Sequence, residues 1–158
     1  MSDLFDDPRL TISGLLFEAD AGLLAKLEPV MRGHGLSGLE LNALMRLSRS
    51  PGHRLRMTDL AAQTALSTSG VTRLVDRLTT WNLVERRVDP TDRRSAYAAL
   101  TPAGKRRLEE VLPDYLAALQ AWLIDPLTPD QLDGLATALR ILRDATNASA
   151  TTLTGPPQ

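Results

Sequence analysis

Between Ser67 and Arg77 the chain sets hydroxyl and guanidinium groups at helical spacing: Ser67, Thr68, Ser69 and Thr72, then Arg73 and Arg77 one turn apart. Small hydroxyl side chains let the start of a helix sit deep in a major groove, where they reach bases or phosphates. Arginine on the same face can address guanine or phosphate. The free N–H groups at the start of such a helix add a phosphate site. A second cluster follows in the polar stretch Asp89-Pro90-Thr91-Asp92-Arg93-Arg94. Arg93 and Arg94 on a tight turn fit a minor groove, and Asp92 beside them can lock a guanidinium in place. Each cluster alone reads equally well as solvated surface. Their order and their closeness in the chain point to double-stranded DNA.

Other chemistry is poorly served. Glu109 and Glu110 are adjacent on a helix and point different ways, and Ser67-Thr68-Ser69-Gly70 lacks the lysine and spacing of a phosphate loop. The 158 residues contain no cysteine and only His34 and His53, which excludes disulfides, thiolate zinc, iron–sulfur clusters and a multi-histidine metal site. Neither an enzyme nor a resident cofactor is expected. The acidic start Met1-Ser2-Asp3-Leu4-Phe5-Asp6-Asp7 is unlike a signal peptide, and no apolar run approaches a membrane span of ~20 residues. The expected location is the cytoplasm.

The net charge of −1 conceals an asymmetry. Residues 1–31 carry −4, 32–66 carry +3, 67–107 carry +5 and 108–158 carry −5. A basic centre between acidic ends suits a polyanion-binding unit held by separate scaffolding.

The elements that must position these groups are legible from caps and periodicity. Leu16, Ala19, Leu23, Leu27 and Val30 predict a helix from about Leu10 to Met31, with a kink or break at Pro29. Ser37 with Glu40 forms a capping box, and Leu36 with Leu41 a hydrophobic staple, for a second helix ending near Ser48. A short third helix spans Thr58 to Thr64. A fourth starts after Ser67 and buries Val71, Leu74, Val75 and Leu78 as one stripe. The period then switches to two, giving strands at Val84–Val88 and Ser95–Leu100. Thr101-Pro102 opens a long helix with a kink expected at Pro113. The capping grammar of Thr128 and Gln131 opens a last one, Pro129 to Thr146. The fold class is mainly α with a small β wing: a winged helix-turn-helix between terminal helices.

Residues 36–123 resemble the MarR family of transcriptional regulators. The likeness rests on the helix-turn-helix, on the strand entry Asn82-Leu83-Val84-Glu85-Arg86, and on the wing signature Asp92, Arg94, Leu100 and Thr101, followed by Pro102-Ala103-Gly104. Asn82 departs from the family's usual glycine at the turn. The resemblance implies a homodimer made by the N- and C-terminal helices, operator binding at palindromes, and release by a small aromatic or phenolic effector. The division expected is 1–35 as an N-terminal dimerisation helix, 36–101 as the DNA-binding unit, 102–146 as C-terminal dimerisation helices, and 147–158 as a flexible tail.

The dimer has independent support in Leu15, Leu16, Leu23, Leu132, Leu135 and Leu139, apolar positions the winged unit does not need. By family analogy a ligand pocket lies between these helices and the lobe, where Phe17, Asp20, Met31, His34 and Met45 could line it. Phe17 and Met45 read more readily as plain core, and His34 as an exposed turn residue. With no thiol available, any effector acts non-covalently. The competing reading is a winged helix that serves as a protein-interaction or scaffold module. Such a module would expose apolar or acidic groups where this one has Ser, Thr and Arg.

Overall fold

The computed structural model describes residues 4–89 and 95–147. The expected wing tip, with Asp92, Arg93 and Arg94, and the tail from 148 onward lie outside the described residues. In chain order run α1 (Pro8–Gly33), α2 (Gly38–Ser48), β1 (Arg54–Arg56), α3 (Met57–Thr64), α4 (Thr68–Thr80), β2 (Val84–Val88), β3 (Ala96–Leu100), α5 (Pro102–Leu119) and α6 (Pro129–Thr146).

Caps fix most of these boundaries. The Ser37 hydroxyl accepts the Glu40 N–H while the Glu40 carboxylate accepts the Ser37 N–H at 2.7 Å, so α2 starts where the capping box sets it. Ser67 accepts the Gly70 N–H at 3.1 Å and starts α4. Thr101 and Thr128 do the same for α5 and α6, each followed by a proline in the first turn.

Three expectations need correction. The first helix begins earlier, capped by Asp7, and runs through Pro29 to Gly33 without a break. Leu27 and Met31, on either side of Pro29, are buried in the lobe, while the proline ring itself is exposed. Packing therefore holds the backbone that the missing N–H would loosen. As expected for a helix that holds its proline inside, α5 runs past Pro113, and it continues through a wider turn at Gln120–Ile124, closed by the Asp125 N–H on the Gln120 carbonyl at 2.8 Å. Finally, the sheet has three strands. β1 pairs antiparallel with β3, Leu55 opposite Ala98, and the order is β1-β3-β2.

The core fills the space between α2, α3, α4 and the sheet. Leu41, Leu44 and Leu47 of α2 meet Leu60 of α3 and the Val71, Leu74, Val75, Leu78 stripe of α4, with Val84 and Ala98 beneath. Leu27 and Met31 of α1 and Leu108 and Val111 of α5 belong to the same cluster. Packing therefore crosses the divisions expected at 35/36 and 101/102. The crossing at α5 is tight. A Cβ on Gly104 would stand 2.1 Å from the Leu83 carbonyl oxygen and 2.7 Å from Leu100 Cδ1. Beside it the Thr101 N–H donates to that same carbonyl at 3.1 Å, and the Thr101 hydroxyl donates to the Asn82 carbonyl at 2.7 Å.

The periphery is different. α6 buries no residue, and α1 buries only Leu27 and Met31. Leu15, Leu16, Leu24, Leu139, Ile141 and Leu142 stand exposed. Two polar links tie α1 to the elements after the wing. His34 Nε2 lies 2.8 Å from Asp114 Oδ2 on α5, and the Lys26 ammonium sits 4.3 Å over the Trp122 ring. No helix among the described residues is long and apolar enough to cross a membrane.

Candidate nucleic-acid interface

α3 and α4 are joined by a turn in which Ala65 adopts φ 54° and closes α3, with Leu66 half-buried behind it. This sharp turn lets α4 lay its valine and leucine stripe on the core and present the opposite side to solvent. On that side Ser67, Thr68, Ser69, Arg73 and Arg77 are exposed, and Thr72 is half-buried. The structure thus brings together the six helix residues singled out from sequence. Their hydroxyls are not equally available. Ser67 is spent on the cap and exchanges a 3.1 Å hydrogen bond with Ser69, and Thr72 donates back to the Thr68 carbonyl at 2.9 Å. Thr68 stands at the first position of the helix with its side chain exposed.

The two arginines also differ. Arg73 meets no carboxylate within ion-pair distance among the described residues. Arg77 forms an ion pair with Glu40, its Nε 2.5 Å from the carboxylate Oε1. Behind α4, Asp76 faces Arg86 of β2 at 4.0 Å. Trp81 caps this helix through its backbone and is 44% exposed.

The sheet carries basic groups that sequence reading passed over. Arg54 and Arg56 on β1 stand 5.1 and 5.7 Å from the Tyr97 ring centre on β3, and Arg56 also donates to the Tyr97 hydroxyl at 3.2 Å. That hydrogen bond holds the Arg56 guanidinium above its ordinary value. The available signal was the spacing Arg54-Leu55-Arg56, one buried residue between two exposed ones, in a segment too short to read as a strand. Glu40 was seen only as a cap.

The residues suggested for a ligand pocket are not brought together within one chain. Phe17 is 70% exposed, so it is neither core nor enclosed, and Asp20 is exposed on the same helix. Met31 is buried in the core about 21 Å further along α1 at 1.5 Å per residue. Met45 packs half-buried against the core, and His34 is engaged with Asp114. Among the described residues no group of three or more His, Asp and Glu could hold a metal ion.

The sequence profile of the MarR family matches residues 34–95, the stretch that holds α2, α3, α4 and β2. The crystal structure of AbsC, a MarR family transcriptional regulator from Streptomyces coelicolor, superposes with a TM-score of 0.85 at 30% identity, covering 93% of this chain and 99% of that one. The chain belongs to the MarR family. Another MarR family regulator from the same organism, Sco3205, was crystallised in complex with DNA. It superposes with a TM-score of 0.82 at 29% identity over 91% of each chain. The HTH-type transcriptional repressor YetL of Bacillus subtilis is 33% identical over 106 residues, which make up 67% of this chain and 64% of that relative's length. MarR proteins are transcription regulators rather than enzymes. Asn82 fits the family's pattern physically. Its φ of 57° is left-handed, a conformation glycine adopts freely and asparagine tolerates better than other residues.

Proposed function

We propose that this MarR protein is a ligand-responsive repressor that binds a near-palindromic operator as a homodimer. The observation that carries the reading is the outward face of α4, where Thr68, Ser69, Arg73 and Arg77 stand exposed on a helix anchored by its buried opposite side. Such a face enters a major groove, with Arg73 reading a base edge or clamping the adjacent phosphate. Asp92, Arg93 and Arg94, outside the described residues, are assigned to the wing contact with the minor groove. The resemblance to a regulator crystallised with DNA supports this reading.

A second copy of the chain completes the molecule in this proposal. The exposed leucines and isoleucine of α1 and α6 supply the apolar surface that a symmetric partner would cover. The effector is a small aromatic or phenolic compound bound non-covalently, consistent with a chain that has no cysteine. It acts by changing the separation of the two lobes. The cytoplasm is the proposed location.

The test is selection of genomic fragments by the purified protein, followed by footprinting and light scattering. The expected result is a protected near-palindrome, with half-sites about 10 bp apart, bound by a dimer. Selection of no sequence, or a monomer at micromolar concentration, overturns the reading.

A further inference from the structure

Glu40 belongs to two systems at once. Its carboxylate is almost fully buried, and its two oxygens have different tasks. Oε2 accepts the Ser37 N–H at 2.7 Å and closes the capping box of α2. Oε1 lies 2.5 Å from Nε of Arg77, an ion pair that reaches α4 from another helix. A buried carboxylate needs a cation and hydrogen bonds to offset its desolvation; Arg77 supplies the cation and the Ser37 N–H a hydrogen bond. The arginine still keeps about half of its side chain in solvent. With Nε held against the carboxylate, the exposed part of the planar guanidinium is free to face outward.

We infer that Glu40 is a positioning residue for DNA binding: it holds Arg77 so that the outer edge of its guanidinium faces a phosphate of the bound duplex. The inference rests on the reading of α4 as the DNA-facing helix. A long side chain already fixed by one charged bond loses less freedom when it meets its ligand, so the contact forms at lower entropic cost. The arrangement also links the chain's two regions. Ser37 follows the turn that leaves α1, so the carboxylate that orients Arg77 is bonded to that turn.

The sign of the effect separates this role from simple electrostatics. Glu40 is an anion near the DNA-facing surface, and charge counting says its removal should tighten binding. Positioning says removal should weaken it. Glu40→Gln is the informative change, because glutamine at this position preserves a capping box. The chain itself shows this at α6, where Gln131 Oε1 accepts the Thr128 N–H at 2.9 Å. In Glu40→Gln the single amide oxygen serves the cap. The amide nitrogen, a neutral donor, then faces the Arg77 guanidinium in place of the anionic oxygen.

Arg77→Gln is the matching control. Its amide nitrogen takes the place of the arginine Nε, so Glu40 keeps a donor while the outer end of the guanidinium is removed.

The experiment is a double-mutant cycle on the full-length chain. The probe is a fluorescein-labelled duplex that the wild-type protein selects from a random-sequence pool, and thermal midpoints are recorded for all four proteins. Glu40→Gln should weaken binding about tenfold, in line with the loss of one ion pair that holds a contacting side chain in place. Arg77→Gln should weaken it by at least as much. In the Arg77→Gln background the Glu40→Gln change should alter affinity less than twofold. Wild-type or tighter binding by Glu40→Gln overturns the proposal. So does an equal loss in both backgrounds, which would mean that Glu40 acts only through the fold of α2. Failure of the wild-type protein to select any duplex fells the reading of α4 as well, and so is told apart from a failure of Glu40 alone.

Discussion

The winged lobe and the terminal helices are made from similar residues and use them in opposite ways. In the lobe, leucines and valines of α2, α3 and α4 close on one another, and the charged side chains of these helices, other than Glu40 and the half-buried Arg46, lie outside. In α1 and α6 the apolar side chains lie largely outside, with Phe17 70% and Ile141 64% exposed. Amphipathic helices gain stability by burying one face, so the lobe carries its own stabilisation, and most of α1 and all of α6 have yet to gain theirs. The difference teaches that one chain holds a finished unit beside helices whose apolar faces stay open.

The largest test of this contrast is a pair of truncations. Leu44→Ala, inside the lobe, should cost about 2–5 kcal/mol in chemical denaturation whatever the protein concentration. Ile141→Ala should leave the lobe's tertiary circular-dichroism signal intact and shift the midpoint only in a concentration-dependent way. A concentration-independent loss at Ile141 equal to that at Leu44 would break the comparison.

Next in size is the joint between the two regions. Gly104→Ala puts a methyl group against the Leu83 backbone. It should cost about 1–3 kcal/mol, with amide exchange accelerating around Leu83 and Thr101 rather than in α6. Arg73→Ala sharpens the contrast from the functional side. Its thermal midpoint should stay within a degree or two of wild type. Affinity for a selected operator should fall by about 1–3 kcal/mol per half-site, with a much smaller loss on random DNA. Equal losses on both duplexes would reassign Arg73 to the phosphates.

The smallest effect lies at the start of α1. Asp7 accepts the Arg9 guanidinium and the Arg9 N–H, which holds its carboxyl below the ordinary 3.8. Its folded pKa lies below the unfolded one, so the cap contributes fully above the ordinary carboxylate range. It is lost only as the pH falls through the lower folded value. The Arg9 amide shift should therefore titrate below pH 3.8. Asp7→Asn should abolish that titration.

What was legible in the sequence was local. The bounds of α2 and α6 follow from residues within four positions of each helix start, and the stripe of α4 from its own spacing. Arg54–Arg56 could not be read as a strand, since three residues become one only by pairing with Tyr97–Ala99. A break at Pro29 misled because the cost of a proline was weighed without the packing that offsets it. The Glu40–Arg77 pair was hidden for a related reason. Each residue had a sufficient local explanation, and nothing nearby in the chain connects them.

The close crossing at Gly104 also makes α5 a lever. Its first turn is pressed onto the base of the wing, and its 18 residues span about 27 Å at 1.5 Å per residue. A tilt of only about 5° about that pivot carries the far end of the helix through roughly 2 Å. Seen from the opposite end, a 2 Å displacement where the chain turns toward α6 reaches the wing as a small rotation of a stiff body. Leu108 and Val111 lie on the same helix, so part of the core moves with it as the lobe is re-aimed.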